Sequence, residues 1–155
     1  MEEEQKKLFM ARALELAIKA MQFAEVPVGA VIVLNGEIIG EGFNSVISDN
    51  SVSSHAEINA INMASKKIGN HRLIGCDMFS TLEPCYMCAS AIVHARIRKL
   101  YFSSIEPKSG AIISNGNFFS SNFLNHKVEF YQGILQKETS LILKNFFQNL
   151  RSKNK

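Results

Sequence analysis

The spacing of apolar residues along the chain predicts an alternation of helices and strands. Residues 3–23 form the first predicted helix, and Pro27 follows its end. The apolar positions of this helix recur at near-helical spacing: Leu8, Ala11, Leu14, Ile18 and Met21. Residues 28–34 form an apolar run rich in β-branched side chains, which predicts a buried strand.

A tight hairpin and a series of alternating elements follow. Asn35-Gly36 predicts the hairpin turn because both residues tolerate positive φ. The next helix should begin near His55 and end by Gly69, a residue that commonly terminates helices. The other predicted elements are a returning strand at 37–41, a polar loop at 43–54, a strand at 77–82, a helix from Pro84 to about His94, a strand at 99–103, a long loop at 106–123, a strand at 127–131 and a closing helix at 135–151.

This order of elements favours an α/β sandwich with a mixed sheet. The hairpin makes one strand pair antiparallel, while helices between the middle strands favour parallel pairing there. The chain has 155 residues, which fits a single domain covering residues 1–155. Apolar residues make up 46% and charged residues 20% of it, so a sizeable core is expected.

Membrane and secretion signals are missing from the sequence. No apolar run approaches the roughly 20 residues that a membrane-spanning helix needs, and the acidic start is unlike a secretory signal. We therefore expect a cytoplasmic protein without a membrane partner. An odd number of cysteines (three) argues against a disulfide framework, so the close pair Cys85 and Cys88 suggests metal or redox chemistry.

Two short motifs contain the residues that could bind a metal or carry out chemistry: His55-Ala56-Glu57 and Pro84-Cys85-Tyr86-Met87-Cys88. Three-residue spacing places both sulfurs on one face of a helix, and its first turn favours their ionised form. With the imidazole of His55, they would make three ligands for zinc, which prefers four. The fourth position would be open to water, whose pKa falls beside zinc from 15.7 toward about 7.

Glu57 is the candidate proton carrier. Hydrolytic attack on an aromatic amidine carbon requires a proton at the ring nitrogen and then at the leaving amine. Glu57 could take that proton from water and pass it on. Residues two apart point to nearly opposite sides of an ideal helix. We therefore expect His55 to lie at the very start of its helix, where the backbone is not yet helical.

Two other interpretations of the cysteines stay open on the residues alone. Cys85 and Cys88 could form a redox pair, although thioredoxin-like motifs have no His-x-Glu segment upstream. Alternatively, Cys76 could supply a fourth ligand and make the zinc site a structural one.

The chain also resembles a known family over nearly its whole length. His-x-Glu followed by Pro-Cys-x-x-Cys is the established signature of zinc-dependent nucleobase deaminases. The matching stretches are residues 26–31, 42–44, 55–58, 81–89, 92–97, 107–111, 124–129 and 146–151. The last three are similar to the bacterial tRNA-specific adenosine deaminases, a branch of the zinc-dependent cytidine and deoxycytidylate deaminase superfamily.

The resemblance implies a three-layer α/β/α sandwich with a five-stranded mixed sheet, one zinc ion per subunit and a homodimer. The implied substrate is adenosine at the wobble position of a tRNA anticodon, which is converted to inosine. By matching position, Asn44 would hydrogen-bond the flipped base. The Val28 side chain and the Ala56 backbone would line the pocket around it.

Five further positions match residues that contact the anticodon stem-loop in this family: Arg72, Lys108, Asn125, Phe147 and Arg151. The closing helix, at about 135–151, would therefore contribute to RNA binding, with cations at phosphates and Phe147 against a base or sugar. Each also has a simpler interpretation, in which Phe147 is ordinary core and Lys108 a solvated loop charge.

Three positions depart from the family pattern. Ser51-Val52-Ser53-Ser54 replaces the usual Asp-Pro-Thr-Ala, Glu106 replaces a common Asp, and Tyr86 replaces a small or apolar residue. None removes a catalytic group. The missing proline is expected to alter the entry to the helix that begins near His55.

Two alternative functions use the same metal motif. A free-base or nucleoside deaminase, acting on guanine, cytosine or cytidine, would need no RNA-facing Lys108, Asn125 or Arg151. A non-enzymatic zinc-binding RNA module would need no proton carrier at Glu57. We expect a tRNA deaminase, because the chain has both the RNA-facing residues and the proton carrier.

Overall fold

A computed structural model describes residues 1–153 and alternates helices with strands as the sequence predicts. The helices are α1 (Glu3–Met21), α2 (Val46–Asp49), α3 (Ala56–Ile68), α4 (Tyr86–His94) and α5 (Gln136–Lys153), with a 3-10 helix at Phe118–Ser120. The strands are β1 (Gly29–Leu34), β2 (Glu37–Phe43), β3 (Asp77–Leu82), β4 (Lys99–Ser104) and β5 (Glu129–Gln132).

The strands form one five-stranded sheet in the order β2-β1-β3-β4-β5. β1 pairs antiparallel with β2 and with β3, whereas β3 and β4, and β4 and β5, are parallel. The predicted mixed sheet is confirmed. The carboxyl ends of β3 and β4 meet at one edge, so the segments after Leu82 and Ser104 emerge side by side.

The sheet separates two apolar cores. Alternate strand residues face opposite sides, so Ala30 and Ile32 pack with α3 and α4, whereas Val31 and Val33 pack against α1. The three-layer α/β/α sandwich implied by the family resemblance is therefore confirmed.

The buried face of α1 differs from the predicted one, since Leu8 is 70% and Ile18 is 41% exposed. The buried side chains are Phe9, Met10, Ala13, Leu16, Ala17 and Ala20. The helix carries apolar residues on more than one face, and a face with small residues packs closest to the sheet. A Cβ atom on Gly29 would lie only 2.0 Å from the carbonyl oxygen of Ala13.

Helix α5 is attached to the fold at few points. It contacts β4, β3 and α1, and Thr139 alone among its residues is buried. Leu141 is 57% and Leu150 is 45% exposed, so the apolar residues of this helix do not form a core-facing stripe. Its apolar side chains near the carboxyl end instead border a cavity described below.

Other element boundaries differ slightly from prediction. β2 continues to Phe43, the predicted polar loop at 43–54 contains α2, and α4 begins at Tyr86 rather than at Pro84. Within residues 1–153, no helix combines the length and the apolar character that crossing a bilayer requires.

Candidate active site

The side chains of His55, Cys85 and Cys88 meet beside the carboxyl end of β3. Their ligand atoms all lie within 4.8 Å of one another. His55 Nδ1 is 3.4 Å from Cys88 Sγ and 3.7 Å from Cys85 Sγ. One imidazole nitrogen and two sulfurs at these distances can hold a single metal ion.

Two helix N-termini position these donors. His55 is the N-cap of α3, with φ −77° and ψ 153°, and Cys85 is the N-cap of α4, with φ −75° and ψ 175°. The extended backbone at His55 lets this side chain and Glu57 reach one site despite their spacing. The sequence predicts Cys85 inside the first helical turn, but the structure places it just before that turn, which contains Cys88. The N-terminus of α4 therefore lies beside both sulfurs, and its dipole favours negative charge at this site.

Close contact with β2 fixes where α3 begins. A Cβ atom on Gly42 would lie 2.3 Å from the carbonyl oxygen of Ala56 and 2.5 Å from the backbone nitrogen of Ala60. Such distances are shorter than any real carbon contact, so this position requires glycine. A larger residue would displace the turn that contains Glu57.

Hydrogen bonds hold the loop before α3. The Ala56 N–H donates to Asn44 Oδ1 at 2.9 Å, which satisfies an N–H group at the start of the helix. Asn59 Nδ2 donates to Ser45 Oγ at 3.0 Å, and the Ser45 N–H donates to the Ser54 carbonyl at 2.9 Å. The loop is therefore tied to α3 although it contains no proline.

The pKa values of the two thiols are shifted in opposite directions. A hydrogen bond from Cys88 lowers the pKa of Cys85 to about 4, opposed by burial and assisted by His55. The same bond, together with burial, raises the pKa of Cys88. Because metal ions bind the deprotonated form, a metal ion at this site would displace the protons of both thiols.

Glu57 lies next to this group and is only 4% exposed. Burial raises the pKa of Glu57 to about 7; a backbone hydrogen bond opposes the rise and the negative charge of Cys85 adds to it. A carboxyl group with a pKa near 7 can both accept and return a proton at neutral pH.

A cavity of about 500 Å³ opens onto the site, and His55, Glu57 and Cys85 form part of its lining. The other lining residues come from the loops after α1, β2 and β4, from α2, from the end of β3 and from α5; they include Val28, Asn44, Ile47, Glu106, Ser109, Phe146, Phe147 and Leu150. Ala56 is fully buried and contributes its N–H group to the contact with Asn44. A nucleobase and part of its neighbours would fit a space of this size.

Comparison with known protein families identifies the family of this chain. Residues 3–104 match the family model described as the cytidine and deoxycytidylate deaminase zinc-binding region. The chain belongs to this deaminase family. The prediction that rested on the two motifs is confirmed at the level of the family.

Relatives of this deaminase match it along most of their length. The tRNA-specific adenosine deaminase of Agrobacterium fabrum is 45% identical over 143 residues, covering 92% of this chain and 94% of the relative. That of Haemophilus influenzae is 46% identical over 147 residues, covering 94% and 85%. A structure solved in a study of A-to-I editing by tRNA:A34 deaminases at the wobble position matches with a TM-score of 0.85 and 45% identity, covering 87% of this chain and 98% of that one.

The donor set of this deaminase fits the zinc ion that its family binds. One nitrogen and two sulfur donors suit zinc. Cys76 lies before β3, so the length of that strand, about 20 Å, separates it from Cys85 after the strand. The interpretation of the site as a structural one completed by Cys76 is therefore wrong. Zinc binding, which is typical of the family, also replaces the interpretation of Cys85 and Cys88 as a redox pair.

Glu83 connects the metal site to the loop after β4. Its carboxylate accepts hydrogen bonds from the Ser114 hydroxyl and from the N–H groups of Glu106, Ile112, Ile113 and Ser114. Burial favours the neutral carboxyl, but these donors hold the pKa of Glu83 below its usual value. The ionised side chain therefore fixes the cavity wall that includes Glu106.

The predicted RNA-contacting residues lie in two separate places. Phe147 lines the cavity, while Lys108 and Arg151 are exposed near it, next in sequence to the lining residues of the β4 loop and α5. Arg72 and Asn125 lie near the opposite end of α4: the residue after Arg72 is hydrogen-bonded to the C-cap of α4, and Asn125 lines a separate hollow there. A nine-residue helix separates the two places by about 13 Å.

Sequence reasoning misses the residues that support the site from behind. Glu83 and Asn59 are examples, and Glu25 is a third. Glu25 is 2% exposed and accepts hydrogen bonds from the N–H groups of Ile47, at 3.2 Å, and Ser48, at 2.8 Å. In the sequence, Glu83 directly precedes a proline and Glu25 stands two positions before one. This feature predicts neither the burial of the two side chains nor their hydrogen-bond partners.

Proposed function

We propose that this protein is a tRNA adenosine deaminase that converts adenosine at the wobble position of an anticodon to inosine. Relatives that are 45% and 46% identical are tRNA-specific adenosine deaminases. The observation that carries the proposal is a buried carboxyl group, Glu57, beside three metal donors in a cavity that α5 borders. The overall reaction consumes water and releases ammonia.

His55 would hold the zinc ion through its imidazole, and Cys85 and Cys88 would hold it through their thiolates. When bound, zinc lowers the pKa of water to about 7 and so supplies hydroxide at neutral pH. These three protein donors are one fewer than structural zinc sites usually have. That ligand set is typical of catalytic rather than structural zinc sites.

Glu57 moves the protons. It accepts one proton from the attacking water and delivers it to N1 of the adenine ring, which makes C6 a better electrophile. It then accepts the remaining hydroxyl proton and delivers it to the exocyclic amine, which leaves as ammonia. The elevated pKa of Glu57 matches both directions of transfer.

Asn44, Val28 and the Ala56 backbone form the base pocket. Since Asn44 Oδ1 accepts the Ala56 N–H, the Nδ2 group is the donor left for an acceptor on the base. Val28 contributes an apolar wall to the same cavity. This arrangement fixes the base by one directed hydrogen bond and by shape.

Residues 1–155 act as one deaminase domain, in which the helix at about 135–151 contributes to RNA binding. Lys108 and Arg151 contact phosphates of the anticodon stem-loop, while Phe147 packs against a nucleotide beside the flipped base. Phe147 lines the cavity, and Lys108 and Arg151 are next in sequence to lining residues, an arrangement that a free nucleobase would not require. Because the substrate is tRNA, we place the enzyme in the cytoplasm.

The enzyme acts as a homodimer, in which a second copy brings Arg72 and Asn125 to the RNA. These residues are too far from the cavity of their own chain, at the other end of α4. The exposed faces of Tyr86, at 49%, and Met87, at 37%, offer an apolar surface on that helix. Sedimentation analysis should show a dimer that Met87→Asp weakens, while Met63→Asp on α3 serves as a control. A wild-type monomer with full activity would contradict the dimer.

Inosine formation tests the substrate. Zinc-loaded protein should convert a tRNA with adenosine at the wobble position and should leave the same tRNA with guanosine there unchanged. Free adenosine, cytidine and guanine are the competing substrates. Deamination of free guanine or cytidine that survives Arg151→Ala, without inosine in tRNA, would favour the small-molecule alternative.

A further inference from the structure

The carboxyl half of α5 forms a wall of the cavity, yet apolar burial does not hold it there. Phe146, Phe147 and Leu150 line the cavity, but Phe147 is 38% and Leu150 is 45% exposed. The buried residue of this helix is Thr139, two turns before Phe147. The position of the wall must therefore depend on how the first turns of α5 are attached.

A cluster of hydroxyl groups makes that attachment. Thr139 Oγ1 is 2.6 Å from Ser104 Oγ and 2.8 Å from Ser103 Oγ. Ser104 Oγ also lies 2.7 Å from Ser140 Oγ. Thr139 is 2% exposed, Ser104 is 3% and Ser103 is fully buried, so water does not compete for these hydrogen bonds.

The same cluster is connected to the metal site. The carbonyl oxygen of Ser104 accepts a hydrogen bond of 2.8 Å from the N–H group of Glu83. Glu83 precedes Pro84-Cys85 and holds the loop after β4 through its carboxylate. Ser104 is therefore the point at which α5, that loop and the metal-binding segment are joined.

We infer that Thr139 is a positioning residue, which sets α5 against the cavity through its contacts with Ser103 and Ser104. The inference rests on the proposed function, since it assigns the wall to binding of the nucleotides around the target base. Thr139 touches neither substrate nor metal, and it acts through Phe147. Its loss should weaken substrate binding and leave the chemical step at Glu57 intact.

Replacing the hydroxyl alone provides the test. Thr139→Val keeps the shape of the side chain and removes the hydroxyl, whereas Thr139→Ser keeps the hydroxyl. We expect KM for an anticodon stem-loop to rise about fivefold in Thr139→Val, as expected for one net hydrogen bond, with kcat within about twofold of wild type. Thr139→Ser should restore most of the difference.

A control separates positioning from loss of stability. Ile39→Val removes a buried methylene group on β2, at the other edge of the sheet, and should lower Tm without changing KM. A double variant supplies the second check: if Thr139 acts through Phe147, Thr139→Val should add little to the KM effect of Phe147→Ala. Additive effects of the two substitutions would overturn the inference.

Hydrogen exchange tests whether Thr139 anchors α5, and it requires no substrate. Amide groups at 142–150 should exchange faster in Thr139→Val than in wild type or Thr139→Ser, while those of α3 and α4 stay unchanged. Unchanged exchange in α5 would refute the anchor even if tRNA is the substrate. Faster exchange in an enzyme that forms no inosine would instead retain the anchor and reject the proposed function.

Discussion

The two walls of the cavity are built in opposite ways. On one side, α3 lies on β2 with backbone contact at Gly42, and α4 begins at the metal donors with its inner face in the apolar core. On the other side, α5 has one buried residue, Thr139, and reaches the cavity through partly exposed aromatic side chains. The first wall is fixed by packing, whereas the second depends on a few polar contacts.

This difference corresponds to what each wall has to do. Zinc ligation and proton transfer require atoms placed within fractions of an ångström, and close packing provides that placement. In the proposed function an RNA loop enters and leaves, and a helix with few constraints suits such contacts. We therefore expect substitutions on the first wall to abolish chemistry and those on the second to change binding.

Removing a metal donor should have the largest effect. Cys85→Ser should lose zinc and lower kcat/KM by more than about 100-fold, because even residues outside a metal's ligand shell can contribute that much. Elemental analysis and an inosine assay measure both. The matched control is Cys76→Ser, a buried cysteine before β3, which should retain zinc; zinc loss in both variants would contradict the assignment.

Gly42→Ala should disrupt the close packing of α3 against β2. The added methyl group overlaps the Ala56 carbonyl, so we expect a loss of about 1–3 kcal/mol in the free energy of unfolding and a kcat lower by about 100-fold. Thermal unfolding and the inosine assay report the two effects.

The control for this substitution is Gly69→Ala at the other end of α3. Gly69 has φ of 69° and open space around its Cβ position, so alanine there should cost about 1 kcal/mol in backbone strain. Its kcat should stay at the wild-type value. A Gly42→Ala enzyme with normal kcat would show that close packing does not set the catalytic geometry.

The sequence predicts the first wall better than the second. His55, Cys85 and Cys88 stand in motifs whose spacing follows from zinc chemistry, and the structure brings these donors together. The extended backbone at His55 follows from its two-residue spacing from Glu57, and it is found. Here a local pattern is enough, because each motif lies within a single helix start.

Contacts between distant segments are not visible in a local pattern. Thr139 stands in a polar stretch of α5, and its partners Ser103 and Ser104 lie over 30 residues earlier. Apolar side chains recur along this helix, but Leu141 among them is exposed. The periodicity is real, but its apolar side faces a cavity and solvent rather than the core.

Removing a cation from the second wall should have a smaller effect. Arg151→Ala should raise KM for tRNA about three- to fivefold at physiological salt, leave kcat unchanged and reduce the salt dependence of binding by about one ion. Lys7→Ala on α1 removes an equal charge away from the cavity and is the control. Equal effects of the two substitutions would indicate only nonspecific attraction.

The surface ion pair near β2 should have the smallest effect. Arg12 donates to Glu41 at 3.0 Å and lowers the pKa of that carboxyl below its usual value, while burial opposes the shift. Because the folded pKa is depressed, this stabilisation is present above pH 4.5 and is lost as pH falls through the folded pKa.

Glu41→Gln should therefore lower the free energy of unfolding by less than about 1 kcal/mol at pH 7, since both side chains are partly exposed. The difference from wild type should shrink at lower pH, and in high salt. Unfolding curves between pH 3 and pH 7 measure it; a difference that grows on acidification would contradict the sign.

The central claim is tested most directly by measuring inosine at the wobble position in single turnovers with wild type and Glu57→Gln, each with its zinc content determined. We predict that Glu57→Gln retains zinc and binds tRNA, and that its rate falls by about 10²- to 10⁴-fold. A zinc-loaded Glu57→Gln enzyme that forms inosine at the wild-type rate would contradict the assignment of the proton transfers to Glu57.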